Sequence, residues 1–203
     1  MVTVRTRGRL LHWGNPGAVY FVTFRLADSL PKSVLRDIQF TRQNIIRTAQ
    51  VQNRGPSLNE TRRLARLLRS KIETHLDAGA GSCLLRNPAV ARTIVETLQH
   101  FIGVRYWLYA WCVMPNHVHV MVQPLAKNDL AGILQTWKSF SAKAANRFLH
   151  RRGEFWQREY YDHLIRNEKE FARIVRYVLD NPKKAGLQEW PWVGTADQPS
   201  EPI

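Results

Sequence analysis

The sequence is poor in cysteine and in acidic residues. Its 203 residues include two cysteines, Cys83 and Cys112, which lie far apart and form no CxxC pair. This scarcity argues against a zinc ribbon and a disulfide framework, and it fits a reducing compartment. The 16 acidic residues are set against 30 lysines and arginines, which gives a net charge of +14 and a pI near 10.5. Such an excess indicates a polyanionic partner, because each neutralised phosphate releases counterions.

The sequence also lacks the features of a membrane protein. The N-terminus has no apolar stretch typical of a signal peptide, and we find no basic amphipathic terminal helix or lipidation signal. The longest uncharged run, residues 107–126, is long enough to cross a bilayer but is interrupted by prolines, an asparagine and two histidines. We therefore expect a cytoplasmic protein that binds nucleic acid and no membrane. The sequence leaves open whether it is a monomer or a homodimer.

Strands and helices are mixed along the chain. The residue patterns predict strands over 19–26, 104–113 and 117–122, short extended pieces over 155–161 and 163–165, and helices over about 32–50, 58–76, 87–101, 130–150 and 167–182. Two of the strands flank the turn signal Met114–Asn116. This mixture indicates one α+β domain over residues 1–203, with helices on one face of the sheet. The Pro-rich tail, about residues 190–203, is expected to be loosely docked.

Two histidines lie two residues apart on a predicted strand. Alternate residues of a strand share a face, so His117 and His119 point one way while Val118 points the other way. Two neutral imidazoles side by side can clamp a metal ion. The alternative is a strand that simply exposes two histidines to solvent.

The last predicted helix presents a tyrosine and an asparagine together. Asn167 and Glu170 have capping-box spacing, and an apolar stripe follows at Phe171, Ile174, Val175, Val178 and Leu179. At 3.6 residues per turn, Tyr177 and Asn181 lie one turn apart on the flank of this stripe, where neither is needed to fill the core. A tyrosine can act as a nucleophile if a metal polarises the phosphate, and an asparagine oxygen can add a third ligand to two histidines. The alternative is a half-buried tyrosine on an amphipathic helix.

Several segments resemble one family of transposases. Trp111–Val122 resembles the His-hydrophobe-His strand of the single-tyrosine HUH (IS200-like) transposases, and Phe155–Arg158, Asp162–Asn167 and Tyr177–Gly186 resemble blocks of its REP-associated tyrosine transposase branch. The resemblance runs from about Val19 to Trp192. The blocks in this order are highly specific, whereas the two histidines alone are not. The chain is longer than compact members between Arg36 and Gly81, so we treat about residues 32–82 as a helical insertion in a single transposase domain.

The resemblance implies a fold, a metal site and a reaction. It implies a ferredoxin-like α+β domain, in which packed helices cover an antiparallel sheet with the two histidines on a central strand. His117 and His119 would bind Mg(II) or Mn(II), and Asn181 would be the third ligand, as in the REP-associated branch, where the insertion-sequence branch has Gln. Tyr177 would attack a phosphate of single-stranded DNA and leave a 5′-phosphotyrosine link. The family's substrates are hairpins of repetitive extragenic palindromes beside a short guide sequence.

Basic side chains are the expected DNA contacts, and alternatives remain for the nucleophile and the function. We expect contacts to DNA from Arg62, Arg66, Arg69, Lys138, Lys143, Arg147, Arg158, His163 and Arg166. Tyr160 and Tyr161 are alternative nucleophiles, although no metal-ligand partner lies one turn from either on a recognisable helix. One alternative function is a non-catalytic nucleic-acid-binding regulator derived from the same fold, which the intact His-His-Tyr-Asn set argues against. A histidine-site metallohydrolase would need carboxylate ligands near the histidines.

Overall fold

The computed structural model describes residues 3–7, 10–14, 17–53, 55, 57–125 and 127–196. Residues 28–82 form one unit, and residues 1–27 and 83–203 form a second, larger one. The smaller unit spans the predicted insertion and consists mainly of two helices, α1 (Lys32–Val51) and α2 (Leu58–Asp77). A capping box starts α2: the Ser57 hydroxyl accepts from the Glu60 N–H, and the Glu60 carboxylate accepts from the Ser57 N–H.

The larger unit contains a five-stranded antiparallel sheet. Its strands are β3 (Tyr20–Arg25), β4 (Tyr106–Val113), β5 (His117–Pro124), β6 (Tyr161–Leu164) and β7 (Val193–Gly194). They are ordered β6-β3-β5-β4-β7, so β5 is the central strand. Two further strands, β1 (Thr3–Arg7) and β2 (Leu10–Gly14), pair with each other. The sequence patterns predicted no element before residue 19.

Two helices complete a ferredoxin-like topology. Helix α3 (Pro88–Gln99) lies between β3 and β4 in the chain, and α4 (Leu130–Phe148) lies between β5 and β6. The order β3-α3-β4-β5-α4-β6, with all neighbours antiparallel, is the βαββαβ arrangement of that fold. The Asn87 side chain caps α3 ahead of Pro88, and the Asp129 side chain caps α4. The predicted α+β fold with histidines on a central strand is confirmed.

Helices cover both faces of the sheet, so the prediction of one covered face is wrong. Helices α3 and α4 pack against the face that includes Val118 and Val120 of β5. A fifth helix, α5 (Glu168–Lys184), packs against the opposite face through Ile174 and Val178. The reason is that this second face is also apolar, with Phe21, Ala110, Cys112 and Met121 beside the histidines. None of the described helices has the length and apolarity needed to cross a membrane.

The start of the C-terminal tail is docked rather than loose. Strand β7 pairs with β4, and the Trp190 indole N–H donates to the Val113 carbonyl at 2.8 Å. The Val113 N–H donates to the Trp192 carbonyl at 2.8 Å, and the Trp192 side chain packs against the core. The predicted loose docking is therefore wrong for Trp190–Ala196, because strand pairing and the contacts of two partly buried tryptophans hold this segment. Residues 197–203 lie outside the described part of the chain.

Candidate active site

The two histidines are buried beneath α5. Both side chains are 1% exposed, so the alternative of a solvent-facing pair is wrong. They lie on the same side of β5 with Met121, as the alternation of the strand predicts. The Nε2 atoms of His117 and His119 are 2.9 Å apart, and the ring centroids are 4.5 Å apart. The Nε2 atoms of the two imidazoles therefore face each other.

The second nitrogen of each imidazole has its own partner. His117 Nδ1 is 2.7 Å from Asn116 Oδ1. His119 Nδ1 is 2.8 Å from Thr23 Oγ1, since the β3–β5 register places Thr23 directly opposite His119. Burial lowers the pKa of His117 to about 3, which keeps this imidazole neutral at neutral pH. Neutral imidazole is the form that binds metals.

The donor atoms at this point fit a divalent metal ion. Two metal–nitrogen bonds of about 2.1 Å that meet near a right angle hold their nitrogens about 3 Å apart, and the Nε2 atoms are separated by 2.9 Å. Among the described residues, no three His, Cys, Asp or Glu side chains surround one point. The third candidate is Asn181, whose Oδ1 atom is buried and has no hydrogen-bond partner in the part of the chain that the structure describes.

Helix α5 brings a tyrosine to the histidine pair. The helix is capped by Asn167, as predicted, and continues through Pro182 to Lys184. The Tyr177 ring lies 5.5 Å from the His119 ring and 5.7 Å from the Phe21 ring, measured between centroids. The Lys184 ammonium is 5.3 Å from the centroid of the same tyrosine ring. The Tyr177 phenol, the Lys184 ammonium and the imidazole nitrogens of the two histidines thus lie on the same side of the sheet.

Asn181 is more deeply buried than the sequence predicted. The residue is 3% exposed, whereas we expected it on a flank outside the core. The buried residues of α5 are Ile174, Val178, Asn181 and Pro182, so the buried face is displaced from the apolar stripe toward Asn181.

The two alternative tyrosines lie on different sides of the sheet. Tyr161 pairs with Thr23 across β6 and β3, and its ring is 6.4 Å from the Phe21 ring, on the histidine side. Tyr160 packs against the core beneath α3 and α4. The structure therefore brings Tyr161, but not Tyr160, to the face that holds the histidines.

The predicted DNA contacts fall into three groups. Lys143, Arg147, Arg158 and Arg166 are exposed. Two others have internal partners: Lys138 Nζ donates to the Gln157 and Arg158 carbonyls at 2.7 Å each, and His163 Nε2 is 2.9 Å from Glu170 Oε1. Burial, together with the nearby charge of Arg25, lowers the pKa of Lys138 to about 8. The third group, Arg62, Arg66 and Arg69, lies on α2 in the smaller unit, and their side chains are outside what the structure describes.

Sequence reasoning missed the two residues that contact the imidazole Nδ1 atoms. Asn116 was interpreted only as part of a turn, although its place next to His117 is a usable signal. Thr23 is 96 positions from its partner His119, and nothing in the local pattern marks it. It can be identified only from the strand register.

The comparison with known families agrees with this site. Residues 89–181 match the family described as transposase, IS200 like. The matched segment contains both histidines, Tyr177 and Asn181. This match confirms the resemblance to IS200-like transposases that was predicted from the sequence.

Two of the curated relatives carry names of REP-associated tyrosine transposases. The chain is 28% identical over 111 residues to a Haemophilus influenzae protein named as one, covering 48% of this chain and 61% of that protein. It is 30% identical over 90 residues to an Escherichia coli REP-associated tyrosine transposase, covering 41% of this chain and 50% of that protein. The matches thus span about half to three fifths of the curated relatives. A solved REP-associated tyrosine transposase bound to a REP hairpin covers 93% of this chain and 82% of its own, at 17% identity and a TM-score of 0.51, which shows a shared fold.

Proposed function

We propose that this chain is a metal-dependent transposase that cuts and rejoins single-stranded DNA through Tyr177. One observation carries the proposal: the Tyr177 ring contacts His119, whose Nε2 lies 2.9 Å from the Nε2 of His117, inside the segment that matches the transposase family. Attack on a phosphodiester needs a nucleophile beside groups that can bind a metal ion, and Tyr177 and the two imidazoles provide both.

The metal site consists of His117, His119 and Asn181 in this proposal. A bound Mn(II) or Mg(II) ion supplies Lewis-acid polarisation of the phosphate, which a tyrosine nucleophile needs. The two imidazoles offer their Nε2 atoms to it. Asn181 offers its buried oxygen, which has no hydrogen-bond partner among the residues described. A metal held by these three donors would still be open to a phosphate oxygen and to water.

The cleavage step transfers a phosphoryl group to Tyr177. The Tyr177 oxygen loses its proton and bonds to phosphorus, and the bond from phosphorus to the 3′-oxygen breaks. The leaving strand takes up a proton as a 3′-hydroxyl, and the other strand stays linked to the protein as a 5′-phosphotyrosine. One phosphoester bond replaces another, so rejoining needs no external energy source. The Lys184 ammonium beside the Tyr177 ring would attract the approaching phosphate.

We further propose that the substrate is single-stranded DNA with a hairpin, such as a REP hairpin. The solved relative that shares this fold is bound to a REP hairpin. The net charge of +14 supports a phosphate-rich ligand. The exposed basic side chains Lys143, Arg147, Arg158 and Arg166 are the candidates for backbone contacts, and binding should weaken steeply as salt rises.

The test compares one substitution at four tyrosines. Tyr177→Phe should eliminate strand cleavage and the covalent adduct, while the free energy of unfolding changes by no more than about 0.5–1.5 kcal/mol. Tyr160→Phe and Tyr161→Phe should keep an adduct that survives boiling in detergent. Tyr106→Phe is the matched control, because the Tyr106 hydroxyl bonds to Trp137 and Leu98 on the other face of the sheet. It should lose roughly 1–3 kcal/mol of stability and keep the adduct.

Each outcome of the adduct assay separates the alternatives. If the labelled DNA maps to Tyr161, then Tyr161 and not Tyr177 is the nucleophile, and the proposed transposase function still holds. Cleavage without any labelled tyrosine would mean that water is the nucleophile, and the proposal would fail. Hairpin binding without cleavage, in Mn(II) and in Mg(II), would identify the protein as a non-catalytic regulator.

A further inference from the structure

We propose that Asn116 and Thr23 are positioning residues that give the two histidines different tasks. Asn116 holds His117 permanently in the metal-binding tautomer, whereas Thr23 allows His119 to change tautomer when the metal enters. The inference deepens the proposed function and rests on it, because it concerns the same metal site. It is carried by three contacts: His117 Nδ1 to Asn116 Oδ1, His119 Nδ1 to Thr23 Oγ1, and Nε2 to Nε2.

The partner of His117 determines where its proton lies. The amide oxygen of Asn116 can only accept a hydrogen bond, and it lies 2.7 Å from His117 Nδ1. The proton of a neutral His117 must therefore be on Nδ1, which leaves a lone pair on Nε2. His117 is ready to bind a metal before one arrives.

The partner of His119 does not determine its proton in the same way. Two nitrogen lone pairs 2.9 Å apart would repel each other, so without metal a hydrogen lies between the Nε2 atoms. The Nε2 atom of His117 is already an acceptor, so this hydrogen belongs to His119. The Nδ1 atom of His119 then accepts from the Thr23 hydroxyl, 2.8 Å away. Without metal the two histidines therefore hold opposite tautomers.

Metal binding requires His119 to exchange one proton site for the other. The proton leaves Nε2, a proton joins Nδ1 by way of water, and the ring stays neutral with no net proton release. The Thr23 hydroxyl then rotates and accepts from the new Nδ1–H. A hydroxyl can donate or accept at one position, which an amide oxygen cannot do. The different chemistry of Thr23 and Asn116 thus matches the different needs of the two imidazoles.

The first test removes the Thr23 hydroxyl. A metal-bound imidazole makes its N–H more acidic, so the bond to Thr23 is stronger with metal bound, and Thr23→Val should weaken Mn(II) binding about 10- to 100-fold. Thr23→Ser keeps the hydroxyl and should bind Mn(II) within about threefold of wild type. Thr97→Val is the matched control, because Thr97 is a buried threonine of α3 whose hydroxyl donates to the Thr93 carbonyl at 2.7 Å. Equal Mn(II) affinity for Thr23→Val and Thr97→Val would overturn the role of Thr23.

The second test measures the tautomers directly. Nitrogen-15 NMR of the imidazoles in EDTA should show His117 protonated on Nδ1 and His119 on Nε2, and saturating Mg(II) should move the His119 proton to Nδ1. The same tautomer for both rings in EDTA, or an unchanged His119 with Mg(II) bound, would overturn the inference. If the wild type binds neither ion, the metal-dependent function fails. The metal-free spectrum then decides the roles of Asn116 and Thr23 separately.

Discussion

The two faces of the central sheet hold different buried polar groups. Beneath α3 and α4, the Trp137 indole donates to the Tyr106 hydroxyl, which donates to the Leu98 carbonyl. The Trp111 indole nitrogen on that face is also buried, and it has no hydrogen-bond partner among the described residues. Beneath α5, two imidazole nitrogens face each other, and the Asn181 oxygen likewise lacks a partner in the described part of the chain. The second face therefore combines an unpartnered buried oxygen, whose unmade bond a ligand can recover, with two nitrogens that can bind a metal.

The largest loss of stability should come from a cavity-forming substitution on the face beneath α3 and α4. Trp137 is fully buried there, so Trp137→Ala should lower the free energy of unfolding by about 3–5 kcal/mol. Urea unfolding in EDTA measures the loss. Because the site is on the other face, Mn(II) affinity per folded molecule should stay within about threefold. A parallel loss of affinity would show that the two faces are energetically coupled.

The next effect concerns the buried imidazole beneath α5. The pKa of His117 is about 3 in the folded chain, against about 6.5 when unfolded, so the unfolded chain binds the extra proton between these values. Its contribution to stability is complete above about pH 6.5 and is lost as pH falls toward 3, by up to about 1.4 kcal/mol per pH unit. Urea unfolding in EDTA at several pH values should show a shallower pH dependence for His117→Gln. Equal slopes would mean that His117 is not buried as a neutral ring.

The smallest expected effect on stability is a gain and not a loss. Asn181→Leu replaces a buried, unpaired amide oxygen by an apolar group of similar size, so the metal-free protein should gain about 1 kcal/mol of stability. Mn(II) binding and DNA cleavage should weaken at the same time. Asn146→Leu is the matched control, because the Asn146 oxygen on α4 is also buried without a hydrogen-bond partner among the described residues, while its amide nitrogen donates to the Gly153 carbonyl. It should keep Mn(II) affinity, and equal retention of Mn(II) affinity in Asn181→Leu would contradict a ligand role for Asn181.

Sequence patterns predicted the features of the site that depend on local periodicity. The period of two in a strand placed His117 and His119 together, and the helical period placed Tyr177 one turn from Asn181. The burial of Asn181 was not predictable, since it depends on which side of α5 meets the sheet. Nor was the contact of Thr23 with His119, which depends on the pairing of β3 with β5. Register and helix rotation are set by packing across the whole domain, so a local pattern cannot reveal them.

The docked C-terminal segment also has a consequence for association between molecules. An uncovered strand edge presents free N–H and C=O groups that can template pairing with another chain. Strand β7 occupies the edge of β4 at Trp111 and Cys112, and the Gly194 backbone approaches the Trp111 ring so closely that an added Cβ would lie 3.0 Å from it. Val193 and Gly194 therefore cover part of the β4 edge and prevent it from pairing with another chain. A chain truncated before Trp190 would expose a stretch of β4 that is rich in apolar residues, and it should aggregate more readily than the full chain.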